Sequence, residues 1–152
     1  MLEVGQKAPL FVLKNQDGED ISLKDFLGSK VFIWFFPRAS TNGCTKEGTG
    51  LNNELRVFKN KNISIIGISK DSVKAQKNFC IKNNFKFDIL SDFDLVALKA
   101  YKAWGLKKMY GKEYEGILRI SYLIDERGKI EKTYSKVKTA THATDVIESF
   151  DA

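Results

Sequence analysis

Val31-Phe32-Ile33-Trp34-Phe35-Phe36, then Pro37-Arg38-Ala39-Ser40-Thr41-Asn42-Gly43, then Cys44-Thr45-Lys46-Glu47: this stretch carries the reading of the fold. Six consecutive apolar residues suit a strand covered on both faces, because a half-exposed strand would alternate apolar with polar. Pro37 ends the run, and a polar turn containing Gly43 follows. Beyond Cys44, Leu51, Leu55 and Phe58 recur at helical spacing among Lys, Asn and Glu, which predicts a helix from about 44 to 60. A second apolar run at 63–68 then closes a strand-helix-strand unit with a parallel strand pair.

Cys44 thus falls where a buried strand has ended and a helix begins. A thiol in the first helical turn lies near unpaired backbone N–H groups and the positive end of the helix dipole, a setting that favours thiolate over thiol. A lone cysteine is more often a small buried hydrophobe. The position at the carboxyl end of a strand, where α/β sheets place their ligands, reverses that preference and makes Cys44 a candidate nucleophile.

Working outward, Leu10-Phe11-Val12-Leu13 and Asp20-Ile21-Ser22-Leu23 flank Asn15-Gln16-Asp17-Gly18, a hairpin signal. Asp71 or Ser72 is suited to cap a helix that runs through Phe79 and Cys80 and fades at Asn83-Asn84. A short strand is expected at 87–90 and a helix from Leu95 through Trp104, ending at Gly105. Strands at 117–124 and 129–134 join through Asp125-Glu126-Arg127-Gly128, and 141–150 has helical character. The order gives an α/β fold with a central mixed sheet flanked by helices and an N-terminal hairpin, compatible with a thioredoxin-like architecture. At 152 residues the chain reads as one domain over 1–152, long enough to bury roughly 70% of its unfolded surface.

Composition excludes several functions. No run approaches the ~20 apolar residues of a membrane span, and Met1-Leu2-Glu3-Val4-Gly5 has no leader pattern, so no signal peptide is expected. Two cysteines outside a C-x-x-C arrangement are too few for a secreted disulfide framework, and they fit a reducing cytoplasm where a cysteine pair is catalytic rather than structural. The net charge of +6 is spread over scattered lysines. Without an Arg-rich arm, zinc-finger spacing or RNP-like aromatics it carries no nucleic-acid function, only non-specific attraction to acidic surfaces. His142 is the only histidine. With no ligand spacing around it, it reads as a surface or capping residue, and no metal site or cofactor is expected.

Pro37-x-x-x-Thr41-x-x-Cys44 resembles the Pro-x-x-x-Thr/Ser-x-x-Cys signature of the peroxiredoxins, and Phe36 through Glu47 resembles their bacterioferritin comigratory protein, or Q-type, branch. The resemblance extends through Val4-Gly5-Gln6-Lys7-Ala8-Pro9, Ile66-Gly67-Ile68-Ser69-Lys70-Asp71-Ser72, Leu90-Ser91-Asp92, Gly111-Lys112-Glu113-Tyr114, Ile117-Leu118-Arg119 and Leu123-Ile124-Asp125. It implies a thioredoxin-like fold, reduction of peroxides by a Cys44 thiolate, a thioredoxin-type dithiol reductant and a monomer.

Thiol peroxidase chemistry needs an ionised sulfur, a peroxide held in line with it, and a charge to meet the departing oxygen. Thr41 offers a hydroxyl that donates to sulfur or accepts from peroxide, Gly43 and its neighbours offer backbone N–H groups, and Pro37 would shape the turn and shield the thiolate. For the cation, arginine is preferred because its planar fork stays charged and addresses two atoms at once. The resemblance places it at Arg119, which otherwise reads as an edge-strand residue; Arg38 ranks lower. Glu47 shares a helix face with Cys44, although a carboxylate also suits a first helical turn on its own.

Two positions depart from the branch. Thr49 stands where many members carry a resolving cysteine, which leaves Cys80, in the branch's other arrangement, to form an intramolecular disulfide with Cys44. Asn42 stands where proline is usual, putting the loop's rigidity in question. Closing a disulfide needs Cα atoms within about 7 Å, so local unwinding is expected, and Gly48 and Gly50 would weaken the first turns after Cys44. The alternatives are a one-cysteine peroxidase with Cys80 merely packed, and a non-catalytic thioredoxin-fold binding module.

Overall fold

The computed structural model describes residues 1–150. Strand β3 (Lys30–Phe35) is an interior strand of a seven-stranded mixed sheet, and Val31 through Phe35 are all buried. Its even-numbered residues, Phe32 and Trp34, face one apolar layer, and Val31, Ile33 and Phe35 face the other, which is why the run is apolar on both sides. On one edge β3 pairs in parallel with β4 (Ile63–Ser69), Phe35 opposite Ile68; on the other it pairs antiparallel with β8 (Ser121–Ile124), Trp34 opposite Ser121.

The remaining strands are β1 (Val12–Lys14), β2 (Asp20–Ser22), β5 (Asp88–Ser91) and β9 (Ile130–Tyr134), giving the spatial order β2-β1-β5-β4-β3-β8-β9. Helices α1 (Asn42–Asn53), α2 (Leu55–Asn60), α3 (Val73–Asn83) and α5 (His142–Ser149) insert Leu51, Phe58, Phe79 and Val146 into the layer that holds Phe32 and Trp34. The opposite layer is closed by α4 (Val96–Ala100), with Ala97, Leu98 and Tyr101. This is the expected thioredoxin-like arrangement, with the 12–22 hairpin at one sheet edge.

Three expectations are corrected, and one hairpin is added. The single helix over 44–60 is two, because Glu54 leaves helical geometry at φ −101°, ψ 11° between α1 and α2. The helix expected from Leu95 to Trp104 spans only α4. Asp92 caps it, accepting from the N–H groups of Val96 and Leu98 at 2.9 and 2.7 Å, and Lys102 turns left-handed at φ 57° to end it. Trp104 instead opens a second, two-stranded sheet, β6 (Trp104–Met109) with β7 (Lys112–Ile117), turned by Tyr110 and Gly111 at φ 53° and 76°. Positive φ at both central residues is the geometry of a tight hairpin turn. Finally, the strand expected at 117–124 is broken at 118–120, so Arg119 lies in a link between β7 and β8 rather than in a strand.

Candidate active site

Cys44 occupies the third position of α1, after Thr41 at the N-cap. The strand β3 delivers the chain to this point, Pro37 and Arg38 turn it, and Ser40 adopts φ 63°. Despite Asn42 in place of proline, the loop is fastened: the Ala39 N–H donates to Asp71 Oδ2 at 2.8 Å, and the Ser69 hydroxyl donates to the same oxygen at 2.6 Å. The Thr41 hydroxyl donates to the Arg38 carbonyl at 2.7 Å. Its single proton is therefore committed, and toward any ligand at the sulfur it is an acceptor.

The sulfur of Cys44 is fully buried, and the Arg119 Nη2 approaches it at 3.5 Å. Two backbone bonds aim that arginine: the Leu118 N–H donates to Ala103 at 2.7 Å, and the Ile120 carbonyl accepts from Phe35 at 2.9 Å. Gly43 makes room, since a Cβ there would lie 3.2 Å from Arg119 Nη2. The other arm of the guanidinium, Nη1, donates to Glu47 Oε1 at 2.7 Å. A single planar group thus addresses sulfur and carboxylate together, as the fork geometry permits. Burial works against the Arg119 charge, but the Cys44 sulfur and Glu47 outweigh it and hold it protonated. Arg38 is exposed and lines a neighbouring cleft of about 550 Å³ with Pro37, Lys70, Asp71, Phe93 and Leu95.

Glu47 is 1% exposed, so it is no solvated first-turn carboxylate. Burial pushes its pKa up to about 7, against the pull of Arg119. His142 corrects an expectation: it is not on the surface but 2% exposed, under the rings of Phe32 and Tyr134. Its Nε2 lies 2.9 Å from Ser121 Oγ and 3.8 Å from Glu47 Oε2. Burial lowers its pKa to about 4, so this contact is between neutral groups near pH 6, not an ion pair. The signal that would have found it is spacing: His142 precedes Val146 by four residues and so shares the inner face of α5. Lys107 on β6 also stands near Arg119 and Cys44, and burial, with Arg119 adding to it, lowers its pKa.

Cys80 lies in α3, 7% exposed, in the same apolar layer as Cys44 beside Phe79, Phe85 and Phe87. Both thiols are free. Burial, with Asp88 and Asp17 adding to it, pushes the Cys80 thiol up to about 12. Gly48, expected to weaken the helix, also lets the aromatic layer close: a Cβ there would stand 2.5 Å from the Phe85 ring. No helix is long and apolar enough to cross a membrane among the described residues.

A thioredoxin-like α/β fold with a thiol facing a guanidinium at the start of a helix defines the class of cysteine-dependent peroxidases. The chain belongs to the AhpC/TSA family, whose model matches residues 4–133, and within it to the peroxiredoxins of the bacterioferritin comigratory protein branch. It is 40% identical over 141 residues to peroxiredoxin Bcp of Escherichia coli, covering 93% of this chain and 90% of that one. A solved structure of the Xanthomonas campestris bacterioferritin comigratory protein, studied for its alkyl peroxide reduction, superposes with a TM-score of 0.91 at 33% identity, covering 98% of both chains. The Xylella fastidiosa peroxiredoxin Q superposes with a TM-score of 0.93 at 28% identity, covering 99% of this chain and 96% of that one. Family membership makes the chain a thiol-dependent peroxidase, an oxidoreductase that consumes peroxide and draws on a thiol reductant.

Proposed function

We propose that Cys44 is the attacking thiolate, that Arg119 and Thr41 hold the peroxide, that Pro37 shapes the turn over the sulfur, and that Cys80 resolves the oxidised enzyme, all within one domain of residues 1–152. The observation that carries this reading is the Arg119 guanidinium bridging Cys44 Sγ and Glu47 Oε1. The sulfur attacks the distal peroxide oxygen, the O–O bond breaks heterolytically, and the proximal oxygen leaves as alcohol or water with one proton. Cys44 becomes a sulfenic acid. Arg119 meets the negative charge that moves onto the departing oxygen, while Thr41 Oγ1 accepts from the peroxide OH. The cleft walled by Pro37, Phe93 and Leu95 gives room for the organic part of an alkyl hydroperoxide.

Resolution condenses the Cys44 sulfenic acid with the Cys80 thiol, forming the disulfide and releasing water. Folded α3 holds Cys80 protonated, so unwinding its last turns serves two ends: it brings the sulfur within bonding reach and returns the thiol to water, where it ionises more readily. The two positions replaced by serine in separate structures of the Xanthomonas peroxiredoxin Q lie as far apart in sequence as Cys44 and Cys80, which supports the pairing. A dithiol reductant of thioredoxin type then restores both thiols of a monomeric enzyme working in a reducing cytoplasm.

Mass spectrometry after one equivalent of peroxide tests the cycle. Loss of two hydrogens from the wild type and gain of one oxygen in Cys80→Ser are expected, with Cys44→Ser inert. Sustained thioredoxin-supported turnover by Cys80→Ser would reject the resolving role and leave a one-cysteine peroxidase.

A further inference from the structure

The buried carboxylate beside the thiol is only half satisfied. Glu47 Oε1 accepts from Arg119, whereas Glu47 Oε2 is buried without a hydrogen-bond partner among the described residues. Such an atom is costly to leave alone in a site of low dielectric. His142 Nε2 stands 3.8 Å from it, so a shift of about 1 Å brings the two to hydrogen-bond distance. The imidazole is enclosed from every side: Ser121 on β8, the Phe32 ring on β3, the Tyr134 ring on β9, Glu47 on α1, Arg119 on the 118–120 link, and Asp145 on its own helix. Polar groups therefore line up from Cys44 Sγ through Arg119 and Glu47 to His142 and Ser121, with one gap, the 3.8 Å between Glu47 Oε2 and His142 Nε2.

We propose that His142 is a positioning residue for the thiol site: its Nε2 can serve Glu47 Oε2 in either charge state but serves the ionised carboxylate better, through a charge-assisted bond, and so favours the form that holds Glu47 on Arg119 and Arg119 on the Cys44 sulfur. The proposal rests on the peroxidase reading for its purpose but not for its test. With the proton on Nε2, the ring donates to an ionised Glu47. With the proton on Nδ1, Nε2 accepts from the Oε2–H of a neutral Glu47. The imidazole stays neutral in both arrangements, and its tautomer follows the charge of the carboxyl. Ser121 Oγ, 2.9 Å from the same nitrogen, competes with Glu47 for its one proton or one lone pair. Burial pushes Glu47 up and His142 down, which keeps a second charge out of the pocket and leaves Glu47 poised near neutrality.

The test is the titration of the Glu47 carboxyl carbon by NMR in wild type, His142→Phe, His142→Gln and Ser121→Ala. The pH dependence of Cys44 oxidation by hydrogen peroxide and of its alkylation by iodoacetamide is measured alongside, in the Cys80→Ser background. Phe keeps the ring volume without a partner for Oε2, so the Glu47 midpoint should rise by about one unit, and Cys44 oxidation at pH 7 should fall about fivefold with the ionised fraction of the carboxyl and recover at higher pH. Gln, with an amide that reaches Oε2, should restore the midpoint, and Ser121→Ala should lower it by freeing Nε2 for Glu47. Unchanged midpoints across the series overturn the proposal. So does a rate that falls equally at every pH, with Gln no better than Phe, since packing alone does that. If His142→Phe does not fold, the opposite shift expected in Ser121→Ala still decides. Should the wild type oxidise no faster than an unactivated thiol, the peroxidase reading fails, while the carboxyl titration and the alkylation profile still judge His142.

Discussion

Cys44 and Cys80 share one apolar layer and are almost equally hidden from water, yet their surroundings differ in charge. Around Cys44 the chain gathers a helix N-terminus and the fork of Arg119, with Lys107 close behind. Around Cys80 it sets Asp88 and Asp17, with Lys77 the lone opposing charge, in the body of a helix. Burial alone makes a thiol inert; what separates the two sulfurs is the sign of the field that meets them. On the proposed reading the first acts in the folded protein, whereas the second waits for α3 to open.

The sharpest way to break this contrast is to remove the cation. Arg119→Met should slow Cys44 oxidation by stopped-flow ~10²–10³-fold, the usual range for losing one preorganised donor, while leaving Cys80 as protected as before. Arg119→Lys should recover little of the loss, because a point charge cannot reach sulfur and carboxylate together. An unaltered rate in either variant would leave the two cysteines electrostatically equivalent.

Differential alkylation at pH 8 sharpens the same contrast. Cys44 should label in the folded protein, and Cys80, with its thiol pushed up to about 12, should resist until denaturant opens α3. Equal labelling of both would contradict it.

Glu47→Gln should lower the oxidation rate about tenfold and erase the inflection expected near pH 7, yet stabilise the fold at pH 8. The sign follows from linkage. A carboxyl raised from 4.5 to about 7 stabilises the native state below pH 4.5 and loses that contribution as pH rises through 7. A neutral amide avoids the loss, a gain of about 1–3 kcal/mol in chemical denaturation at pH 8. His142 runs the other way. Lowered from 6.5 to about 4, it contributes stability above pH 6.5 that is lost as pH falls through 4. Between 4.5 and 6.5 the two slopes cancel, so the unfolding free energy of the wild type should be flat there as far as this pair decides. Glu47→Gln should expose the His142 slope.

The smallest effect is expected at Asn52, which ties the end of α1 to the segment after α3: its Nδ2 donates to the Asn84 carbonyl at 3.1 Å, and its Oδ1 accepts from the Lys86 N–H at 2.9 Å. Asn52→Ala should cost about 1 kcal/mol of stability and hasten disulfide formation two- to three-fold, measured as the lag between oxidation and loss of free thiol. Slower closure would mean that this tie does not restrain Cys80.

The order of strands and helices was legible because hydrophobic period and turn residues act locally. The run 31–36, the Ser72 cap, which accepts from the Ala75 N–H at 3.1 Å, and the left-handed Asn84 all appear where their side chains dictate. The β6–β7 hairpin was not read, since its strands are mostly exposed and carry little apolar alternation. Of the candidate site, Cys44, Arg119 and Glu47 do meet, while the proton of Thr41 turned out to be engaged with Arg38. His142 escaped because burial of a polar side chain depends on what packs over it.

By itself the chain determined where a thiol would stand, at a strand's end and a helix's start, since both are matters of nearest neighbours along the backbone. Whether that thiol would face a guanidinium, whether the carboxyl behind it would be dry, and whether a distant histidine would be packed beside that carboxyl were settled only by folding. Those contacts join residues 72 to 95 positions apart, and their energies depend on the water that three-dimensional packing excludes.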